Sequence, residues 1–232
     1  MPRDNYSKYD PSKVNLATVA LKAFGLGVVL LVCLGVLVLH VSNTHQYGVT
    51  TIRITTYLAL ISTFHMLEFM STCLFNNSQV DDDSFILNDT ELHLVLLMSL
   101  IEVILEPFVF DWSTNLGLIL ALLGQLCRTG AMYTARESFN HYIQQEKDDN
   151  HVLIKHGIYK YIRHPSYFGF FWWFIGTQLY LGNTVILVGG SYKLWKFFKA
   201  RIEYEELLLI KFFKNDYVRY RAATPVGIPF IH

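Results

Sequence analysis

Apolar residues in this chain fall in long blocks parted by polar runs, and the blocks match the roughly 20 helical residues a bilayer crossing takes. The first is Leu16–Val41, with Lys22 its one charged residue; a broken or re-entrant pair is the alternative there. The second, Ile52–Phe75, has Arg53 near its start and His65 and Glu68 inside. The third, Leu92–Phe110, carries Glu102, Glu106 and Pro107, and the fourth is Asn115–Tyr133. The fifth and sixth share Tyr167–Ala200, broken at the turn dipeptide Gly182-Asn183, which predicts a helical hairpin. The pattern predicts an all-α integral membrane protein of about six transmembrane helices. Residues 1–134 hold the first four. Residues 135–232 hold a cytosolic segment, the hairpin, an amphipathic helix and a Pro-rich tail, all within one integrated membrane domain.

Lys and Arg orient such a chain. Arg3, Lys8, Lys13 and Lys22 lie before or at the first span. Arg128, Arg136, Lys147, Lys155, Lys160 and Arg163 surround the long fourth-to-fifth connection, and eight more crowd the C-terminal region. Six spans put all three regions, and both termini, in the cytosol. The Asn76–Glu91 connection then becomes cytosolic too, although it is acidic and holds Asn76-Asn77-Ser78 and Asn88-Asp89-Thr90, which match the glycosylation sequon. Glycan on either would overturn the span count. Polar residues precede Leu16 and no small-residue cleavage pattern follows it, so the first span reads as a retained anchor rather than a cleaved signal.

The chain is 52% hydrophobic and its formal net charge is zero, which argues against nucleic acid as a partner. Cys33, Cys73 and Cys127 lie in apolar blocks and the nine His lack ligand spacing, so neither a disulfide framework nor a metal site is expected.

The chemistry concentrates in the C-terminal half. Ala135–Glu146 is expected to be helical and to end at Lys147-Asp-Asp-Asn150; His151-Val-Leu-Ile154 reads as extended, and Gly157 supplies a turn. The run Arg163-His-Pro-Ser-Tyr167 joins this polar segment to an aromatic membrane block. His164, before a proline, is pushed towards extended backbone. Pro165 suits the first turn of a helix, whose free N–H groups and positive dipole end favour an anion. Alone, the run also reads as a membrane-entry helix with interface anchors. A last helix over Lys193–Phe213 is interrupted by Arg201, Glu203, Glu205 and Glu206. Arg201 and Glu205 are four apart and share a face on which they can pair. Ionisable residues at membrane depth mark function, though a helix leaving the bilayer would carry them as well. Two prolines and a glycine in Pro225-Val-Gly-Ile-Pro-Phe-Ile231 predict an ordered loop or a re-entry.

Taken in order, these pieces resemble the isoprenylcysteine carboxyl methyltransferases. The matching residues are Leu153-Ile-Lys-His-Gly-Ile-Tyr159, Arg163-His-Pro-Ser-Tyr-Phe-Gly169, Gly176-Thr-Gln178, Arg201, Glu203–Glu206, Phe212-Phe213, Tyr217, Tyr220 and the Pro-rich ending. The resemblance implies a multi-pass enzyme of the endoplasmic reticulum. It would methylate the C-terminal carboxylate of a prenylated cysteine, farnesyl or geranylgeranyl, using S-adenosylmethionine. It assigns the cofactor to Gln144, His151, Val152, Leu153, Ile154, Tyr159, His164, Pro165, Ser166 and Tyr167, and the substrate's carboxyl end to Arg201 and Glu205. The prenyl chain would enter from the membrane lipid. Arg201 suits a carboxylate clamp, with Glu205 either holding Arg201 or facing the sulfonium. His-Pro-x-Tyr and Glu-Glu elements also recur in membrane sterol reductases and phospholipid methyltransferases, which stand as the rival readings.

Overall fold

The computed structural model describes residues 14–43, 47–105, 111–146 and 152–232. It is helical, and no strand occurs among the described residues. α1 (Leu16–Ser42), α2 (Val49–Phe75), α3 (Thr90–Leu105), α4 (Asp111–Ala135), α5 (Pro165–Leu181) and α6 (Thr184–Phe213) occupy the six apolar blocks, and α7 (Asn215–Ala223) precedes the tail. Leu16–Ser42, Val49–Phe75 and Thr114–Ser138 are long and apolar enough to cross a membrane. α1 is one continuous helix, not a broken pair; Asn15 caps it by accepting from Ala17 N and Thr18 N. Leu21, Phe24 and Leu31 lie exposed along it, as they would face lipid. α2 differs: beside Tyr57, Ala59 and Phe64 it buries Arg53, Thr55, Ser62, His65, Glu68, Ser71 and Thr72. In a bilayer the interior is where polar side chains find partners.

α4 and α5 pack closest. They run antiparallel, with Gly117 against Gly176 and Gly124 against Gly169. A Cβ at Gly124 would lie 2.5 Å from Trp173 N, and one at Gly169 would lie 2.5 Å from Arg128 N. Small residues at two-turn spacing let the backbones meet, the packing open to helices that no hydrophobic effect drives together in lipid. Next to this seam Gln178 ties three elements: its Oε1 accepts from Ser99 Oγ (3.0 Å) and Asn183 Nδ2 (2.9 Å), and the same Nδ2 reaches Ser99 O. Gly182, left-handed at φ 83°, ends α5 and Asn183 starts α6, so the hairpin forms where its turn residues predict it. Glu102 receives the free Val185 and Ile186 N–H groups at the start of α6 (2.7 and 3.0 Å).

Two helix boundaries differ from expectation. The sixth block and the last helix are one 30-residue helix. At 1.5 Å per residue it is about 45 Å long, with Arg201, Glu203, Glu205 and Glu206 in its C-terminal half. The helix expected over Ala135–Glu146 does not form: α4 stops at Ala135, Arg136 takes φ 51°, and a 3-10 turn (Arg136–Ser138) leads into irregular chain. The irregular chain is tied to the bundle instead, by Asn76 Nδ2 donating to Phe139 O (2.6 Å) and by Arg201 Nη2 donating to His141 O (2.6 Å). The expected helix end at residues 147–150 and the Glu106-Pro107 pair lie outside the described residues.

The start of α1 reaches the Asn76–Glu91 connection, through Asn15 N to Asp82 Oδ1 (2.8 Å) and Lys22 to Asp82 O. That connection reaches the segment after α4, through Asn76. The helices thus alternate in direction, with the acidic connection and the α4–α5 connection at one end.

Candidate functional site

The first turn of α5 is held from both sides. Pro165 opens the helix, and His164 before it has φ −123° and ψ 60°. The φ is extended as a residue before proline requires, but ψ falls short, with the imidazole Nε2 on Glu206 Oε1 at 3.1 Å. Arg163 meets the same oxygen through Nε (2.6 Å), Arg221 Nε takes the other (3.0 Å), and Arg163 Nη1 donates to Thr224 O (2.7 Å). Glu206 is 3% exposed and organises this end of the molecule. In the sequence it is one of three acids on the last helix. The distinguishing signal is its register: it follows Phe198 and Ile202 at steps of four, and both are buried. Glu203 is exposed.

Arg201 and Glu205 do not pair directly; Tyr167 stands between them. Its hydroxyl donates to Glu205 Oε2 (2.7 Å) and accepts from Arg201 Nε (2.9 Å). The i, i+4 spacing puts both charges on one face, but α5 inserts a tyrosine into the gap. The Tyr167 ring is itself fixed, stacked between His164 (centroids 5.6 Å apart) and Phe198 (5.1 Å). With Nε on Tyr167 and Nη2 on the His141 carbonyl, Arg201 keeps Nη1 without a partner among the described residues.

Two cavities meet at this tyrosine. The smaller, about 110 Å³, is lined by Val152, Leu153, Ile154, Tyr159, Arg163, His164, Pro165, Ser166, Tyr167, Glu205 and, from the far side, Leu209, Phe213, Tyr217 and Tyr220. The larger, about 510 Å³, runs from Tyr167 and Arg201 past Phe198, Phe170, Phe197 and Leu194 to Phe174 and Gly190, with Arg128 and His141 on its wall. Tyr167, Ser166, Phe139 and Asn140 border both. A small chamber with Glu205 in its lining, His164 Nδ1 3.9 Å from that carboxylate, thus abuts a longer one that runs from Arg201 through aromatic side chains to the acidic residues Asp81, Asp83, Asp89 and Glu91.

The small cavity brings together eight of the ten residues assigned to a cofactor, with Glu205. Gln144 lies outside that lining, its buried Oε1 without a hydrogen-bond partner among the described residues, and His151 falls outside them. Tyr159 is pushed above the usual phenol range, first by burial and then by the Glu205 carboxylate, so it stays protonated. Burial raises Tyr220 to about 12, and its hydroxyl donates to Tyr159 O (2.5 Å). Arg163 Nη2 is buried without a partner among the described residues, a spare donor in the lining. An acid, a spare guanidinium donor, the first N–H groups of α5 and an apolar wall suit a molecule with a positive centre, a carboxylate and a flat ring.

Glu68, Arg128 and His141 escaped sequence reasoning. Arg128, counted among the basic residues of the α4–α5 connection, lies inside the bundle at 8% exposure. Its guanidinium grips Glu68, which is fully buried, and His141 Nε2 adds a third contact to that carboxylate at 2.7 Å. The usable signal was opposite charges in two apolar blocks, each costly unless matched. Gly176-Thr-Gln178 proves structural: a close crossing and a three-way hydrogen-bond node. The Pro-rich ending is the ordered loop expected, with Val226, Ile228 and Ile231 buried beside Phe171, Phe198 and Ile202.

Comparison with known proteins finds one enzyme family. The isoprenylcysteine carboxyl methyltransferase family model matches residues 117–211. Protein-S-isoprenylcysteine O-methyltransferase of Saccharomyces cerevisiae is 43% identical over 188 residues, covering 75% of this chain and 79% of the relative. The Tribolium castaneum enzyme of that name is 36% identical over 220 residues, covering 92% and 76%. The human one is 39% identical over 182 residues; the match takes in 75% of this chain and 64% of that longer protein. A solved structure of the eukaryotic intramembrane Ras methyltransferase ICMT superposes with a TM-score of 0.83 at 34% identity, over 92% of this chain and 77% of the other.

Proposed function

The chain belongs to the isoprenylcysteine carboxyl methyltransferase family, and on that footing we propose that it methylates the free α-carboxylate of C-terminal prenylated cysteine, farnesyl or geranylgeranyl, with S-adenosylmethionine as donor. The observation that carries this reading is the wall between the cavities: Arg201 faces the long aromatic one, Glu205 the small polar one, and Tyr167 joins them.

The donor supplies a methyl group on a positively charged sulfur. In the small cavity Glu205 would offset its positive charge, Arg163 Nη2 and the start of α5 would receive its carboxylate, and Val152, Leu153 and Ile154 would flank its ring. The acceptor needs no base, because an α-carboxyl with a pKa of about 3.5 is ionised at neutral pH. The bound donor would supply a methyl group that a carboxylate oxygen could take from sulfur without any proton moving. Water solvating the acceptor is the obstacle. Phe170, Phe197 and Phe198 shield the passage beside Arg201, and Arg201 Nη1 steadies one oxygen while the other attacks. The guanidinium comes already braced on two of its nitrogens, so little ordering is left to binding.

The same reading sets six spans across the endoplasmic reticulum membrane, with the small cavity and both termini on the cytosolic side. The alternation of the helices and the Lys and Arg at the cavity end support that. Purified protein in liposomes, given tritiated S-adenosylmethionine and N-acetyl-S-farnesylcysteine, should yield a base-labile methyl ester. Label entering phosphatidylethanolamine instead, or nicotinamide-dependent reduction of a sterol without ester formation, would overturn the reading.

A further inference from the structure

We propose that Glu68, on α2, is a positioning residue for the methyl transfer, acting through Arg128 and His141 on the two groups that brace Arg201. The proposal deepens the function proposed above and rests on it. Glu68 lies in the N-terminal half, outside the stretch matched by the family model, and it does not line either cavity at the site. Yet both its oxygens are used. Arg128 grips them with Nε and Nη2 (the latter at 2.8 Å), and His141 Nε2 shares Oε2 at 2.7 Å.

Each partner leads to the reaction centre by one further contact. Arg128 Nη1 donates to Ser166 Oγ (3.1 Å) and lies 3.5 Å from Ser166 O, so it holds the turn that carries Tyr167. The backbone carbonyl of His141 accepts from Arg201 Nη2 at 2.6 Å. The irregular segment after α4 has no helix to fix that carbonyl; the imidazole on Glu68 does it. Both braces of Arg201, the Tyr167 hydroxyl and the His141 carbonyl, thus trace back to one carboxylate. Arg128 lies over the adjoining Phe64 and Phe170 rings (5.4 and 5.2 Å to the centroids) on the wall of the large cavity. Without Glu68 it would present a bare cation to an incoming carboxylate, in the wrong place. A buried ion pair is a poor way to add stability, since apolar replacements of similar volume often do as well. Its geometry is better explained by orientation.

The test is steady-state kinetics on full-length protein in liposomes with N-acetyl-S-farnesylcysteine, alongside calorimetric binding of S-adenosylmethionine. Glu68→Gln keeps the shape. Its kcat should fall roughly tenfold or more while KM for the prenylcysteine does not rise and donor affinity holds. Combined with Arg201→Lys it should lose little beyond that variant alone, because both act on the same guanidinium. A kcat within twofold of wild type, or losses that multiply, would overturn the proposal. Should Glu68→Gln fail to fold, His141 decides: His141→Ala should lower kcat, and His141→Gln, with an amide N–H able to reach Glu68, should recover much of it. Equal activity in His141→Ala and wild type would be fatal. A wild-type protein that makes no ester would instead remove the function reading and leave this one without its premise.

Discussion

At the scale of single residues, one hydroxyl decides how two charges cooperate. Arg201 and Glu205 share a helix face but communicate through Tyr167. Tyr167→Phe keeps the ring stacked on His164 and Phe198 and removes only the bridge. Hydrogen bonds to charged groups contribute about 1.5–3 kcal/mol, so kcat should drop some ten- to a hundredfold in the methyl-transfer assay, with the protein folded. Arg201→Ala should cost about a hundredfold or more in kcat with donor binding retained by calorimetry, as expected for a charge that acts only on the acceptor. Lys at the position should rescue poorly, since one ammonium cannot contact Tyr167, the His141 carbonyl and a substrate together. The charged and tyrosyl residues here were legible because their types are rare in apolar sequence. Their contacts were not: a spacing of four reveals a shared face, and nothing in it reveals that another helix will place a side chain between.

Among the helices, the α4–α5 seam holds the site in place. It carries Gly124 beside Gly169 within two turns of Ser166 and Tyr167. Gly169→Leu has no room against the Arg128 backbone and should push the helices apart, with a melting temperature in detergent well below wild type and activity lost along with it. Gln178→Ala separates stability from chemistry. It leaves Ser99 and Asn183 short of a buried acceptor far from the cavities, so it should lower stability by about 1–3 kcal/mol while KM for the donor is unchanged. The six helices themselves were readable from apolar block length. Their ends were less so. The merger of the sixth block with the charged helix depends on how far α6 projects, and the loss of helix after Ala135 on Asn76 and Arg201 capturing Phe139 and His141. Those partners lie some sixty residues away in sequence.

For the molecule as a whole, the governing feature is that a polar chamber and a lipid-sized one share a wall at one end of the bundle. That arrangement has a topological consequence. The Asn76–Glu91 connection lies at the same end as the α4–α5 connection, so the Asn76 and Asn88 sequons should stay unmodified when the protein is made in microsomes. An acceptor site engineered into the Gly182-Asn183 turn should gain glycan. Glycan on the native sequons would reverse the orientation and place the small cavity on the lumenal side.

From sequence alone came the apolar blocks, the turn at Gly182-Asn183, the helix start at Pro165 and the residue types that carry the chemistry, because each follows from local hydropathy, backbone preference or side-chain charge. Tertiary structure alone decided that Glu206 anchors Arg163 and His164, that Tyr167 separates Arg201 from Glu205, and that Glu68 braces the site from a distant helix. Those are pairings of buried charges, and a buried charge is satisfied by whichever partner packing brings within about 3 Å, a choice that no stretch of chain makes by itself.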